Sequence, residues 1–181
     1  GFVRRALHRE AVQKQQRLFR PGALLTEGDV QQITHNRWAS PTALPQQGAL
    51  MLRLEQLAFA MQDGRVVGEA GQVRVAEESA LALLDHPQAA EMLAAGVQLN
   101  VLDRDLTKLE VTYLHQLLQE YFAARVLARN PDPERVRTPW RADEIEPDLE
   151  TWRRQADVRT PLPAAPTTGW EETTVLAAAM A

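Results

Sequence analysis

Imidazole is the side chain best suited to hold a proton, a metal or a phosphate near neutral pH. This chain has four: His8, His35, His86 and His115. It has no Cys, which excludes disulfides and every thiol-based metal, redox or nucleophilic site. With no His-Glu-x-x-His segment either, no metal site is expected. His115 is the one imidazole whose position makes a chemical argument. It stands where a strand-patterned stretch, Leu109, Val111 and Tyr113, hands over to a helical one. A helix start carries unpaired N–H groups and a partial positive charge, so a phosphate held there could also accept a hydrogen bond from the ring. The same position suits a histidine that only starts the helix, and spacing does not separate the two.

The remaining chemistry is sparse. Carboxylates occur side by side at Glu77-Glu78 and Asp143-Glu144, but neighbours on a helix point in different directions and normally meet solvent. There is no Gly-x-x-x-x-Gly-Lys-Ser/Thr phosphate loop, no Gly-x-Gly-x-x-Gly and no Gly-x-Ser-x-Gly elbow. No catalytic residue is therefore assigned, and this chain is not expected to carry out chemistry of its own.

The elements that must position His115 are mainly helical. Val3, Leu7, Ala11 and Leu18 recur at helical spacing among Arg4, Arg5, Arg9, Lys14 and Arg17, and Pro21-Gly22 ends this basic amphipathic helix. Its charges read as a solvated face or as a surface for acidic partners or phosphates. Thr26-Glu27-Gly28-Asp29 opens a short helix with Val30, Ile33 and Trp38. After the turn-rich Pro41 to Gly48, apolar residues fall on nearly all sides of a helix through Leu50, Leu54, Leu57, Ala58 and Met61, which must lie between others; Gly64 and Gly68 break it. Gln72 to Val75 is strand-like, Glu77-Glu78 suit a helix start before Leu81 and Leu84, and a helix from Pro87 ends at Gly96.

Alternation then predicts a β-hairpin, with Val97, Leu99 and Val101 on one strand, Leu109, Val111 and Tyr113 on the other, and Asp103-Arg104-Asp105 as the turn. From His115 a helical stripe runs through Leu117, Leu118, Tyr121, Phe122 and Val126 to Asn130-Pro131. Helices, then a small hairpin, then a long helix resembles a winged-helix arrangement. Trp140 and Trp152 flank an acidic segment, Pro161 to Pro166 is an extended connector, and Gly169-Trp170-Glu171-Glu172 starts an apolar helix with no terminator before Ala181. A piece of a longer protein explains that end most simply.

Composition agrees with a folded, mainly α chain: of 181 residues 45% are apolar and 24% charged, enough to bury a core. No apolar run approaches the roughly 20 residues that cross a bilayer, and the start is charged rather than signal-like, so no membrane partner and a cytoplasmic location are expected. A net charge of -4 and 6% aromatics disfavour nucleic acid as a partner.

Tyr113-Leu114-His115-Gln116-Leu117-Leu118-Gln119-Glu120-Tyr121-Phe122-Ala123-Ala124-Arg125 resembles the "aromatic-x-His-x-x-x-Gln-Glu-aromatic-x-Ala-Ala" segment in the winged helix of NACHT proteins, signal-transduction NTPases related to NOD-like receptors. Three more stretches, Gly1 to Leu7, Leu57 to Gln62 and Thr167 to Thr174, look like the bacterial branch of that family. The resemblance implies a segment just downstream of the nucleotide-binding core: a helical subdomain over 1–45, a winged-helix domain over 46–130, and over 131–181 a linker and the start of a C-terminal helical-repeat region. In that family the winged-helix histidine contacts the β-phosphate of bound ADP, so His115 would be the nucleotide phosphate contact.

The implied cofactors are ADP and ATP, with Mg in the parent ATPase, and none is expected to bind the isolated chain tightly. Implied partners are the upstream core, a C-terminal sensor domain and further copies of the full-length protein. Gln119, Glu120, Tyr121 and Phe122 are expected in the hydrophobic core or on the helix surface; Arg125 and the basic face of the first helix would meet the upstream nucleotide-binding core, a neighbouring protomer or solvent. The expected function is regulatory: the winged helix senses nucleotide state and controls a closed-to-open, oligomerising switch. A winged-helix DNA-binding regulator and a structural helical adaptor are the alternatives. Against the first stands the charge pattern: Glu77, Glu78, Asp85 and Glu91 before the hairpin, and Asp103 and Asp105 beside Arg104 and Lys108 at its tip.

Overall fold

In the computed structural model, residues 1–13, 24–64, 73–137, 149–155 and 168–181 are described. Helix α1 (Phe2–Gln13) buries Val3, Ala6 and Leu7 against α2 (Glu27–Thr34), whose Ile33 meets them in the same core. Thr26 caps α2 reciprocally: its hydroxyl accepts from the Asp29 amide at 3.2 Å, and the Asp29 carboxylate accepts from the Thr26 amide at 3.0 Å. Asp29 is fully buried because it also accepts from the Gln47 and Gly48 amides, at 3.1 and 2.6 Å, tying α2 to the start of the next helix.

That helix, α3 (Ala49–Asp63), is the centre of the molecule. Leu50, Met51, Leu54, Leu57 and Ala58 are completely buried, and Gly64 ends it, as the all-round apolar pattern predicts. There follow β1 (Arg74–Ala76), α4 (Glu77–Leu84), α5 (Ala89–Gln98), β2 (Leu102–Asp105) and β3 (Glu110–Tyr113). The sheet is antiparallel with order β1-β3-β2; Val75 lies opposite Val111, and Leu102 opposite Tyr113. Helix, strand, two helices and a two-stranded wing is the winged-helix order.

The hairpin exists, but its first strand is later than alternation suggested. Val97 is in α5, which runs through Gly96 to Gln98. The helix ends where Asn100 turns left-handed (φ 54°), letting the Val101 amide reach back to the Gly96 carbonyl and the Asn100 amide to Val97, both at 2.9 Å. This paired closure is a helix C-terminal motif that Asn can adopt. Val97, Leu99 and Val101 alternate in sequence, yet they mark a helix end. Gly96 is a close approach rather than a terminator, since a Cβ there would lie 2.7 Å from Leu102 Cδ1. Asp103, Arg104 and Asp105 belong to the strand; the turn is 106–109, with Leu106 and Leu109 exposed and Leu109 at φ 53°.

Helix α6 (Gln116–Arg129) packs along α3, and α9 (Glu171–Ala178) packs along α6; α7 (Pro133–Val136) and α8 (Leu149–Gln155) are short. Buried side chains from α1, α2, α3, α5, the wing, α6 and α9 join one hydrophobic cluster, which continues across residues 45 and 46. Pro21-Gly22, Gly68, Gln72, Trp140, the acidic residues from Asp143, the Trp152 side chain and residues 161–166 lie outside what is described. Among the described residues no helix is long and apolar enough to cross a membrane.

Candidate functional site

Strand β3 delivers His115 to the start of α6. Tyr113, at the strand end, is completely buried, donates to the Leu54 carbonyl at 2.5 Å, and packs its ring against Phe122 at 5.8 Å between centroids, tilted by 45°. Burial holds the Tyr113 phenol well above its usual range, with Glu55 adding to the effect, so it stays a donor. The Leu114 amide bonds the Val101 carbonyl at 2.9 Å, securing the turn against the wing. Two residues beyond Tyr113 the chain emerges. His115 is extended (φ -139°, ψ 141°), and its carbonyl accepts from the amides of Leu118 and Gln119 at 2.9 and 3.3 Å.

The His115 ring itself caps nothing: it is exposed, and it has no hydrogen-bond partner among the described residues. The first turn of α6 itself has no acid; the Glu120 carboxylate, one turn further on, accepts from the Gln116 side chain at 2.7 Å. Chemically, the arrangement can donate hydrogen bonds to an oxyanion; it holds no nucleophile and no acid–base pair. Beside it lies an apolar groove of about 280 Å³ lined by Phe2, Leu117, Leu118 and Leu176. Leu117, placed on the buried stripe by the sequence, is instead 63% exposed on the rim of this groove.

The other residues of the motif point inward. Phe122 is fully buried, and Gln119 donates to Gln62 at 3.0 Å, which donates in turn to the Gly169 carbonyl at 2.5 Å, so one amide relay joins α6, α3 and the start of α9. Tyr121 donates to the Thr42 carbonyl at 2.9 Å. Arg125 is neither solvated nor directed outward: it is 6% exposed and bound to Glu55 of α3. Glu55, with Arg129 on its other oxygen, is the polar centre that sequence reasoning missed. A signal was present, because a charged residue in the middle of a helix that is apolar on every side requires a buried partner.

The basic face of α1 is divided. Arg5 and Arg9 meet solvent, but Arg4 turns onto the connector between α2 and α3, donating to the carbonyls of Ala43 (2.7 Å) and Ser40 (2.5 Å) and covering Trp38 at 4.5 Å. In the position of a recognition helix, α5 carries one charged residue, Glu91, and no Lys or Arg. Arg104 of the wing is taken by Glu77 in a two-pronged ion pair. Lys108, exposed in the wing turn, is a cation that no ion pair engages among the described residues, a single charge where DNA binding uses several phosphate contacts. Neither a family model, nor a curated protein, nor a solved structure matches this chain.

Proposed function

We propose that this chain is the regulatory segment of a nucleotide-gated signalling ATPase of the NACHT type. Its winged helix would read whether ADP or ATP occupies a nucleotide-binding core upstream, and no bond is made or broken within it. His115 carries the proposal: an exposed imidazole without a partner among the described residues, held at the start of a helix whose Gln119, Phe122 and Arg125 are committed to packing. A capping side chain would bond the free amides of its own helix, and this ring does not. The β-phosphate of ADP would sit against the His115 ring and the free amides of α6, with Mg supplied by the core.

ADP held between core and winged helix would stabilise a closed form; exchange for ATP, which lacks that contact geometry, would release it. Such a ligand biases two arrangements by its differential affinity and nothing else. Release would expose surface for copies of the full-length protein, with a C-terminal sensor setting the balance. Support for a docking face beside His115 comes from the adjoining apolar groove with Leu117 and Phe2 on its rim.

The test is calorimetric titration of ADP into two proteins, this chain and the chain extended upstream through its core, each with and without His115→Ala. Tight binding in the extended protein, weakened about tenfold or more by the substitution, is the expected outcome for one charge-assisted contact. Undiminished ADP affinity in the extended His115→Ala protein would return His115 to the role of an ordinary helix-start residue.

A further inference from the structure

A second set of charges lies along α6, about 15 to 21 Å from His115 at the helical rise per residue. Glu55 is completely buried on α3 and both its oxygens are occupied: Arg125 Nε donates to Oε1 at 2.5 Å, and Arg129 Nη2 donates to Oε2. Two guanidinium groups against one carboxylate leave one positive charge over. Arg125 spends a further donor on the Thr42 carbonyl, at 2.5 Å. Arg129 does not: its Nε and Nη1 have no acceptor among the described residues, and its side chain is 37% exposed.

Both arginines line a cleft of about 460 Å³ between the α2–α3 connector and the last turns of α6. Among its lining residues there is no Asp or Glu, and Gln32, Gln46 and Gln47 are the other long polar side chains. In a chain of net charge -4, a concave site with two arginines and no acid holds charge of one sign against the trend of the whole. Its volume is within the range of small-molecule sites. A planar guanidinium presents parallel N–H donors that match the two oxygens of a carboxylate, and the reduced dielectric of a cleft strengthens that pairing relative to open water.

We propose that this cleft binds a small organic carboxylate, which accepts from the open edge of Arg129 while Glu55 keeps Arg125. Arg125 in turn holds the Thr42 carbonyl, so the occupied cleft would clasp the connector to α6. The site is separate from His115 and stands whether or not the chain reads nucleotide.

The experiment is a titration of the whole chain, at low salt, with succinate and separately with inorganic phosphate, following the arginine Nε–Hε resonances by NMR. Saturable shifts at Arg129 and Arg125, with the exposed Arg5 and Arg137 unmoved, are expected for succinate. Arg129→Gln should weaken binding at least about tenfold, the loss of one charge-assisted pair. Because that variant also removes a partner of Glu55, Ala128→Glu is the second: it leaves all three charges in place and supplies a carboxylate at the cleft wall, so succinate should again be displaced. Shifts that never saturate and are shared by all exposed arginines, or an affinity in both variants equal to that of the parent chain, would overturn the site. Tighter binding of phosphate than of succinate would overturn its assignment to a carboxylate.

Discussion

Replacing Glu55 with alanine strands a charge. Arg125 is 6% exposed, so it cannot turn to water, and its Nε and the facing Arg129 Nη2 both lose their acceptor. Removing one partner of a buried ion pair costs about 3–5 kcal/mol, a large share of the roughly 5–15 kcal/mol that holds an ordinary domain together. Arg129→Gln should behave differently, because its side chain is 37% exposed and Glu55 keeps Arg125; about 1 kcal/mol or less is expected. Arg125→Met belongs with Glu55→Ala, although the Thr42 carbonyl keeps its Tyr121 donor. The decisive variant is the double Glu55→Leu with Arg125→Met. It leaves no buried charge, and apolar replacement of a buried pair is often neutral or stabilising. It should therefore fall within about 1 kcal/mol of the parent instead of costing the sum of the singles. Urea unfolding followed by far-UV circular dichroism, read at unchanged slope, measures all four. A Glu55→Ala cost below about 1 kcal/mol, or a double variant as damaged as the two singles added, would refute a desolvated pair at this position.

Three further outcomes follow from local geometry. Gly48→Ala should cost about 3 kcal/mol, the upper end of overpacking, because its Cβ would fall 2.5 Å from the Leu24 carbonyl oxygen and 2.6 Å from Leu25 Cα, both backbone; Gly28→Ala meets only the end of the Gln47 side chain and should be neutral or gain up to about 1 kcal/mol of helix propensity. The pair is checked in one thermal melt. Thr173→Val should raise stability by about 1 kcal/mol, since the Thr173 hydroxyl is completely buried without a partner; a lower midpoint in urea would mean that the hydroxyl is bonded. Burial pushes the Glu171 carboxyl up, but the Thr168 amide and hydroxyl and the amides of Glu171 and Gly169 outweigh it and hold it below the ordinary carboxylate range. Its contribution is then complete above the unfolded value and is lost as pH falls through the folded one, so Glu171→Gln should flatten the acid limb of a pH–stability profile monitored at Trp170.

What could be read from the sequence divides by range. Helix α3 was legible because its apolar residues are local and continuous, and the start of α2 because Thr26 and Asp29 stand at cap spacing. The hairpin was legible as an element but displaced, because a left-handed Asn100 ends α5 in a stretch that alternates as a strand would. His115 was placed at a helix start by the handover between periods, and it is there. Glu55, Arg125 and Arg129 were not assembled, since the first is 70 and 74 residues from the others and no local period links such partners. Arg125 was in view as part of a motif, but only packing decides whether an arginine faces out or in.

Helix α6 carries both candidate sites, one at each end, and the tests of one must be shown not to disturb the other. His115 and Arg129 are separated by about 21 Å of helix and share no hydrogen-bond partner among the described residues. Sites that far apart, without common contacts, normally add within about 0.3–0.5 kcal/mol. His115→Ala should be close to neutral in stability, because its ring is exposed and unbonded, and Arg129→Gln should cost what it costs alone. The double variant is then expected to unfold at the sum of the two. Additivity would leave succinate affinity unchanged by His115→Ala as well. A deviation beyond about 0.5 kcal/mol, or a succinate affinity that follows the state of His115, would instead mean that α6 moves as one switching element, with the connector at Thr42 as its far contact.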